Sequence, residues 1–308
     1  MSSIDKVRNK PCAKKNEECD IIKIVRLINE KCPKILRAFE SVFIKYKILN
    51  AIASGASRRD HHDFKITVEE IDTKLQYLWT VEHKGTQKKA TPNSPPWKGG
   101  VQFYNGGMEK FKIAEEYAKS WYEMFIASEC LRKEFDIPNE ILTPDYDTWR
   151  NKDAKTQGNP KTPFGVALKK SVREKFGPKS SLIEHRNIFV PSFIKLVETD
   201  TKIVDTLKDE ILEISKKTFE QKDAWLEING NIDADVDVDV DVDVDVDSEF
   251  TIKWSKKLTI SKITSISFDE KTKSDFTGKV ESDLGYPIKF IIRWGKGAGF
   301  SNLRVDLK

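Results

Sequence analysis

The chain has 308 residues, 38% hydrophobic and 33% charged, with 53 Lys and Arg against 49 Asp and Glu. That length can bury one large core or two modest ones, and no apolar run approaches the ~20 residues that a membrane-spanning helix needs. The net charge of +4 hides an asymmetry: Asp233 to Asp247 holds eight aspartates, and with those charges removed the remainder carries +12. A body that basic points to polyanionic partners, chiefly nucleic acid. The cysteines (Cys12, Cys19, Cys32 and Cys130) match no zinc spacing and imply no disulfide framework, so a reducing intracellular compartment is the expectation.

Residues 1–19 form a basic, polar N-terminal segment without the apolar core of a secretion signal. Residues 20–53 read as helical, divided by Pro33. Ile21, Ile24 and Ile28, then Ile35, Leu36, Phe39 and Phe43, recur at helical spacing. Gly55 ends that region. Arg58 and Arg59 follow in a loop, where they either contact phosphate or stay solvated.

Two strand-like runs come next, Asp63-Phe64-Lys65-Ile66-Thr67-Val68 and Leu78-Trp79-Thr80-Val81-Glu82-His83-Lys84. Strand side chains alternate faces. Phe64, Ile66 and Val68 therefore share one face and Asp63 starts on the other. Glu82 and Lys84 share a face, while Trp79, Val81 and His83 point the opposite way. A turn centred on Asp72-Thr73 places position 63 opposite position 82, with Cβ atoms roughly 4.5–5.5 Å apart. Two carboxylates that close repel unless a cation lies between them. Their oxygens suit a hard cation such as Mg²⁺ or Mn²⁺. Lys84, two residues on, is placed to orient an attacking water or to stabilise charge on a phosphate.

The stretch 85–100 is a Gly- and Pro-rich loop carrying Lys88, Lys89 and Lys98, read either as a basic loop on a nucleic-acid backbone or as a simple insertion. Gln102 follows in Val101-Gln102-Phe103-Tyr104. From Met108 to about Phe135 the pattern is helical, with Phe111, Ala114, Ala118, Trp121, Phe125 and Cys130 on one side. Residues 136–190 read mostly as loop around a short helix, Val166 to Phe176. Within them Trp149, Arg150, Lys152 and Lys155 mix aromatic and basic side chains in a way that suits nucleic-acid contact. Thr199 to Glu227 reads as one long helix capped by Thr199 or Asp200.

Strict Asp-Val alternation then marks residues 230–249 as an expandable linker, because eight like charges on one face repel. Two other readings stay open for it: calcium binding, without the glycines that shape calcium repeats, and mimicry of DNA in a basic groove. The tail is strand-like over Thr251 to Trp254, Leu258 to Phe268 and Ile288 to Trp294. Arg293 to Gly299 reads as a hairpin turn, since the Gly-Lys-Ser/Thr end of a phosphate-binding loop is missing.

Asp63 with Glu82-His83-Lys84, between a helical segment and a second amphipathic helix, resembles the PD-(D/E)xK superfamily of restriction-endonuclease-like nucleases. The resemblance covers roughly residues 34–135. It implies an α/β (α+β) fold with a central mixed β-sheet flanked by helices, here with a β-rich C-terminal extension over 250–308 that packs on the core. The nuclease core would span 20–135, and 136–229 would be a helical and loop region in reach of DNA. It also implies that Asp63, Glu82 and the backbone carbonyl of His83 hold Mg²⁺ or Mn²⁺, and that Lys84 assists hydrolysis. Glu40 on the preceding helix and Gln102 after the lysine strand match the supporting glutamate and glutamine of such sites. Two departures leave the subfamily open: no proline precedes Asp63, and Gly106 stands where one subgroup carries a tyrosine. The expected partner is nucleic acid, most simply double-stranded DNA, with a homodimer possible and no membrane. A non-catalytic nucleic-acid-binding protein on the same scaffold and an RNA nuclease are the alternatives.

Overall fold

A computed structural model describes residues 13–54, 63–86, 111–155, 158–177, 182–230, 250–269, 275–294 and 303–307. The chain divides into two compact units, Met1–Val101 with Lys216–Thr259 and Gln102–Ser215 with Ile260–Lys308. The N-terminal segment before residue 13, Arg58, Arg59, Lys88, Lys89, Lys98, Gln102 and the Asp-Val tract lie outside the described residues.

The first unit is a five-stranded mixed sheet with helices packed on it. The strands are β1 (Tyr46–Ala53), β2 (Phe64–Glu70), β3 (Gln76–Thr86), β4 (Ala224–Gly230) and β5 (Phe250–Lys256), hydrogen-bonded in that order. All neighbours are antiparallel except β3 and β4, which run parallel. In β2 the alternation is complete: Phe64, Ile66 and Val68 are buried while Lys65 and Thr67 are partly exposed. The apolar face continues through Val81, Leu226, Ile228 and Trp254. Helices α1 (Ala13–Asn29) and α2 (Pro33–Val42) pack against this unit's strands. Pro33 begins α2, where a missing N–H costs nothing. Phe39 of α2 stacks on Phe43 at 4.6 Å and meets Trp254 edge-on at 5.2 Å.

Two expectations for this unit are corrected. Residues 46–53 form strand β1 and do not continue the helix. An apolar run this short fits either period, and the tertiary partners decide: β2 pairs with one side, and Asn29 at the end of α1 supplies hydrogen bonds to Ala51. Its Nδ2 donates to the Ala51 carbonyl at 3.0 Å and its Oδ1 accepts from the Ala51 amide at 2.8 Å. The expected single helix over 199–227 is instead α8 (Thr201–Glu220), a turn, and strand β4. Asp200 caps α8 as expected, its Oδ1 accepting from the Lys202 amide at 2.9 Å. The break after Glu220 is fixed from outside the helix. The Asp223 amide donates to the Thr80 carbonyl at 2.9 Å, and Asp223 Oδ2 accepts from the Thr80 amide at 2.9 Å and hydroxyl at 2.8 Å. Strands β4 and β5 therefore complete the sheet that β1 to β3 begin.

In the second unit α3 (Lys112–Trp121) runs into π-helical turns at Tyr122–Ala127, followed by α4 (Cys130–Glu134). Ala114, Ala118, Trp121 and Phe125 are buried, as their spacing predicts; Cys130, expected on the same side, is exposed. After α5 (Tyr146–Trp149) come α6 (Pro163–Phe176) and α7 (Ile183–Thr199). The sequence reading did not anticipate α7, which carries Pro191 inside it. Tyr117, Phe189, Phe193 and Phe276 form an aromatic core with ring centroids 4.8 to 6.4 Å apart, in which Tyr117 meets Phe189 and Phe193 edge-on and Phe189 stacks on Phe193. A four-stranded antiparallel sheet completes the unit: β6 (Ile263–Phe268), β7 (Phe276–Ser282), β8 (Ile288–Trp294) and β9 (Leu303–Leu307). The predicted strand over 258–268 is real only from Ile263, and β7 was not expected.

Candidate active site

The β2–β3 hairpin places the candidate residues by local rules. Its register runs from Glu69↔Gln76 to Phe64↔Val81, the one that a turn centred on Asp72-Thr73 dictates. At the open end the expectation needs correction. The Asp63 amide donates to the Val81 carbonyl at 2.9 Å, although Phe64 is already Val81's partner. Two residues thus face one, as in a bulge, and Asp63 sits a step off the pairing with Glu82. Its carboxylate reaches forward instead: Oδ2 accepts from the His83 amide at 2.7 Å.

On β3 the alternation holds. Lys84 Nζ lies 2.7 Å from Glu82 Oε1, so both occupy one face, and Glu82 is only 7% exposed. His83 turns to the other side. It is buried, with Nδ1 3.3 Å from the Leu226 carbonyl, and burial pushes its imidazole down to about 4. It is neutral at pH 7, and the site can use only its backbone.

Strand β4 brings in residues that the sequence reading missed. Its parallel register sets Trp225 beside Glu82 and Glu227 beside Lys84. Lys222, in the turn before β4, is 1% exposed. Its Nζ lies 3.5 Å from Glu82 Oε2 and 5.5 Å from the centre of the Trp225 ring. Burial lowers the pKa of this ammonium; the charges of Glu82 and Asp63 oppose that shift and Lys84 adds to it. Glu82 is therefore gripped at one oxygen by Lys84 and at the other by Lys222. Two ammonium groups face the carboxylates of Asp63, Glu82 and the buried Glu227, and the opposite charges are what allow these groups to share a largely buried place. Reading 199–227 as one helix concealed Lys222. The available signal was the short run Ala224-Trp225-Leu226-Glu227-Ile228, which alternates less strictly than β2 but is rich in strand formers.

The other expected residues fall elsewhere. Glu40 is exposed on α2, the helix whose Phe39 enters the apolar core. Among the described residues no hydrogen bond or ion pair links it to Asp63, Glu82 or Lys84. Arg150 and Trp149 are corrected from a nucleic-acid surface to the interior of the second unit. Trp149 is 2% exposed, and Arg150 Nε, at 5% exposure, donates to Glu115 Oε2 at 3.1 Å. A buried guanidinium already paired with Glu115 has no free face to present to a phosphate. Lys152 is exposed.

Among the described residues no group of three or more His, Cys, Asp and Glu side chains gathers to hold a metal. The donor set that the resemblance implies is smaller: the Asp63 and Glu82 carboxylates and the backbone carbonyl of His83. That set fits Mg²⁺, which keeps several waters and takes only one or two carboxylates from a protein. A carboxylate has about four lone-pair sites, so Asp63 can accept from His83 and still ligate.

No family model, no curated protein and no solved structure matches this chain.

Proposed function

We propose that the chain is a metal-dependent endonuclease that hydrolyses phosphodiester bonds in DNA, built on a restriction-endonuclease-like core. The observation that carries the reading is the cluster at the open end of the β2–β3 hairpin. There Glu82 is held at 2.7 Å by Lys84, and the Asp63 carboxylate is fixed on the next amide at 2.7 Å. A mixed sheet flanked by helices is the architecture that the resemblance to PD-(D/E)xK nucleases implies, and the first unit has that architecture. The basic body of the chain supports a polyanionic substrate.

Asp63, Glu82 and the His83 carbonyl would hold Mg²⁺ or Mn²⁺, which supplies Lewis acidity and lowers the pKa of water. The protein's own groups do the rest. Lys84, its side chain 13% exposed, offers an ammonium at the edge of the site to orient the attacking water and to stabilise charge on phosphorus. Lys222 keeps Glu82 in one rotamer from behind. Water adds to phosphorus and releases a proton to bulk water, the bond to the leaving oxygen breaks, and that oxygen takes up a proton from bulk water. Purified protein is expected to nick supercoiled plasmid with Mg²⁺ or Mn²⁺ and not in EDTA. Lys84→Ala and Asp63→Asn are expected to lower the rate at least 100-fold, on the scale of a lost charge-stabilising group. Nicking that survives Lys84→Ala refutes the assignment of this site.

A further inference from the structure

The second unit carries a groove along α6 that the candidate site does not use. Its volume is about 470 Å³, and it is lined by Asn159, Pro160, Val166, Lys169, Lys170 and Arg173, with Glu174 at one end. A buried clamp shapes its wall. Asp153, fully buried, accepts from the amides of Lys161 and Thr162, both at 2.9 Å, and from the Thr162 hydroxyl at 2.5 Å. Thr162 in turn caps α6, its Oγ1 accepting from the Gly165 amide at 2.9 Å. The segment running from Asn159 to Thr162 is thereby fixed against the start of the helix. Gly165 is required for this fit, since a Cβ there would come within 2.5 Å of the Asp153 carboxylate.

Charge in the groove is one-sided. Lys170 has Glu174 at 3.9 Å. Lys169 donates to the neutral amide of Asn159 at 3.2 Å, and among the described residues no carboxylate pairs with Lys169 or Arg173. Partial burial, together with the charge of Arg173, lowers the pKa of Lys169. Crowded cations without an acid are stabilised by an incoming anion. Toward the start of α6 the lining is apolar, formed by Pro160 and by Val166, which is 53% exposed. An occupant must therefore combine an anion with a flat apolar face, in a space within the range of small-ligand sites.

We infer that this groove binds single-stranded nucleic acid, with one base against Pro160 and Val166 and successive phosphates on Lys169 and Arg173. A duplex keeps its bases stacked inside and offers none to such a surface, whereas a single strand exposes them. The inference is independent of the Asp63–Glu82 site, and it holds or falls whether or not the chain cleaves anything.

The test is fluorescence anisotropy with the full chain in EDTA, using labelled ten-nucleotide oligo(dT) and oligo(rU), the corresponding duplex, and an abasic oligonucleotide of equal length. Wild type is expected to prefer the single strands over the duplex and to bind the abasic strand several-fold more weakly. K169Q/R173Q is expected to weaken binding at least tenfold. It should also flatten the salt dependence by about 1.4 in log–log slope, two phosphates at about 0.7 each. Both side chains reach solvent, so its melting temperature should be unchanged, and R173Q alone should show about half of the slope change. Wild-type affinity in K169Q/R173Q overturns the inference. So does an equal loss of duplex and single-strand affinity, or of abasic and normal-strand affinity, in K169Q/R173Q, or competition by polyglutamate that the double variant abolishes, which would make the groove a reader of acidic peptides.

Discussion

Lys222 and Glu82 are obligatory partners. An ammonium 1% exposed has no water to turn to, and Glu82 at 3.5 Å is its counter-charge. Removing one member of such a pair strands the other. Glu82→Gln is expected to lower unfolding free energy by about 3–5 kcal/mol in urea titrations. The double variant Glu82→Gln/Lys222→Met should recover a large part of that loss. Additive effects in this cycle would show that the two groups are not coupled. A second residue-scale effect lies in the other unit. Tyr117 is fully buried among Phe189 and Phe193, and burial pushes its phenol well above the usual value of 10. The unfolded chain loses this proton first as pH rises past 10, so the folded state then binds more protons and stability falls. The contribution is fully present below pH 10. Tyr117→Phe is therefore expected to lose less stability than wild type between pH 10 and 11. Parallel denaturation curves for the two proteins would count against it.

Elements held by local rules were legible from the sequence. The β2–β3 hairpin is an example: its alternation and turn centre set the observed register, because strand neighbours a few residues apart leave few other pairings. The start of α2 at Pro33 and the Asp200 cap of α8 follow in the same way. Elements were misread where a short apolar run satisfied both periods, as in β1, or where a helix pattern ran past its true end, as in α8. Strand β7 was missed for a different reason. Its Gly278 interrupts the run of strand-forming residues, yet it is there for space: a Cβ would lie 2.4 Å from the buried Phe290 ring and 2.5 Å from the Ser267 carbonyl. One of those neighbours is backbone and cannot yield. Gly278→Ala is expected to cost about 1–3 kcal/mol, read as a lower melting temperature, and Phe290→Leu in the same chain should restore part of it. An unchanged melting temperature would mean that the sheet opens to admit the methyl group.

At the scale of the whole molecule, the first unit is discontinuous in sequence. Its sheet needs β4 and β5, which return after residue 216, and its core includes Leu226, Ile228 and Trp254 from that return. A fragment ending at residue 135, the boundary that the resemblance suggests, lacks two of the five strands and leaves β3 as an unpaired edge. It is expected to show the circular dichroism of a largely unfolded chain and tryptophan emission shifted toward that of free indole in water. A cooperative thermal transition in this fragment would contradict the arrangement of the sheet.

The sequence by itself determined the hairpin, the faces that its side chains take, and the meeting of Glu82 with Lys84, because these depend on neighbours and on a period of two. It did not determine the second lysine of the cluster, or the turn and parallel strand that carry Lys222 and Glu227 to it. Parallel neighbours require a long crossover, and here the anchor between Thr80 and Asp223 closes over 143 residues. No local propensity encodes a contact of that separation. Tertiary packing decided it, through the burial of Leu226 and Ile228 on the apolar face and of Lys222 against Glu82.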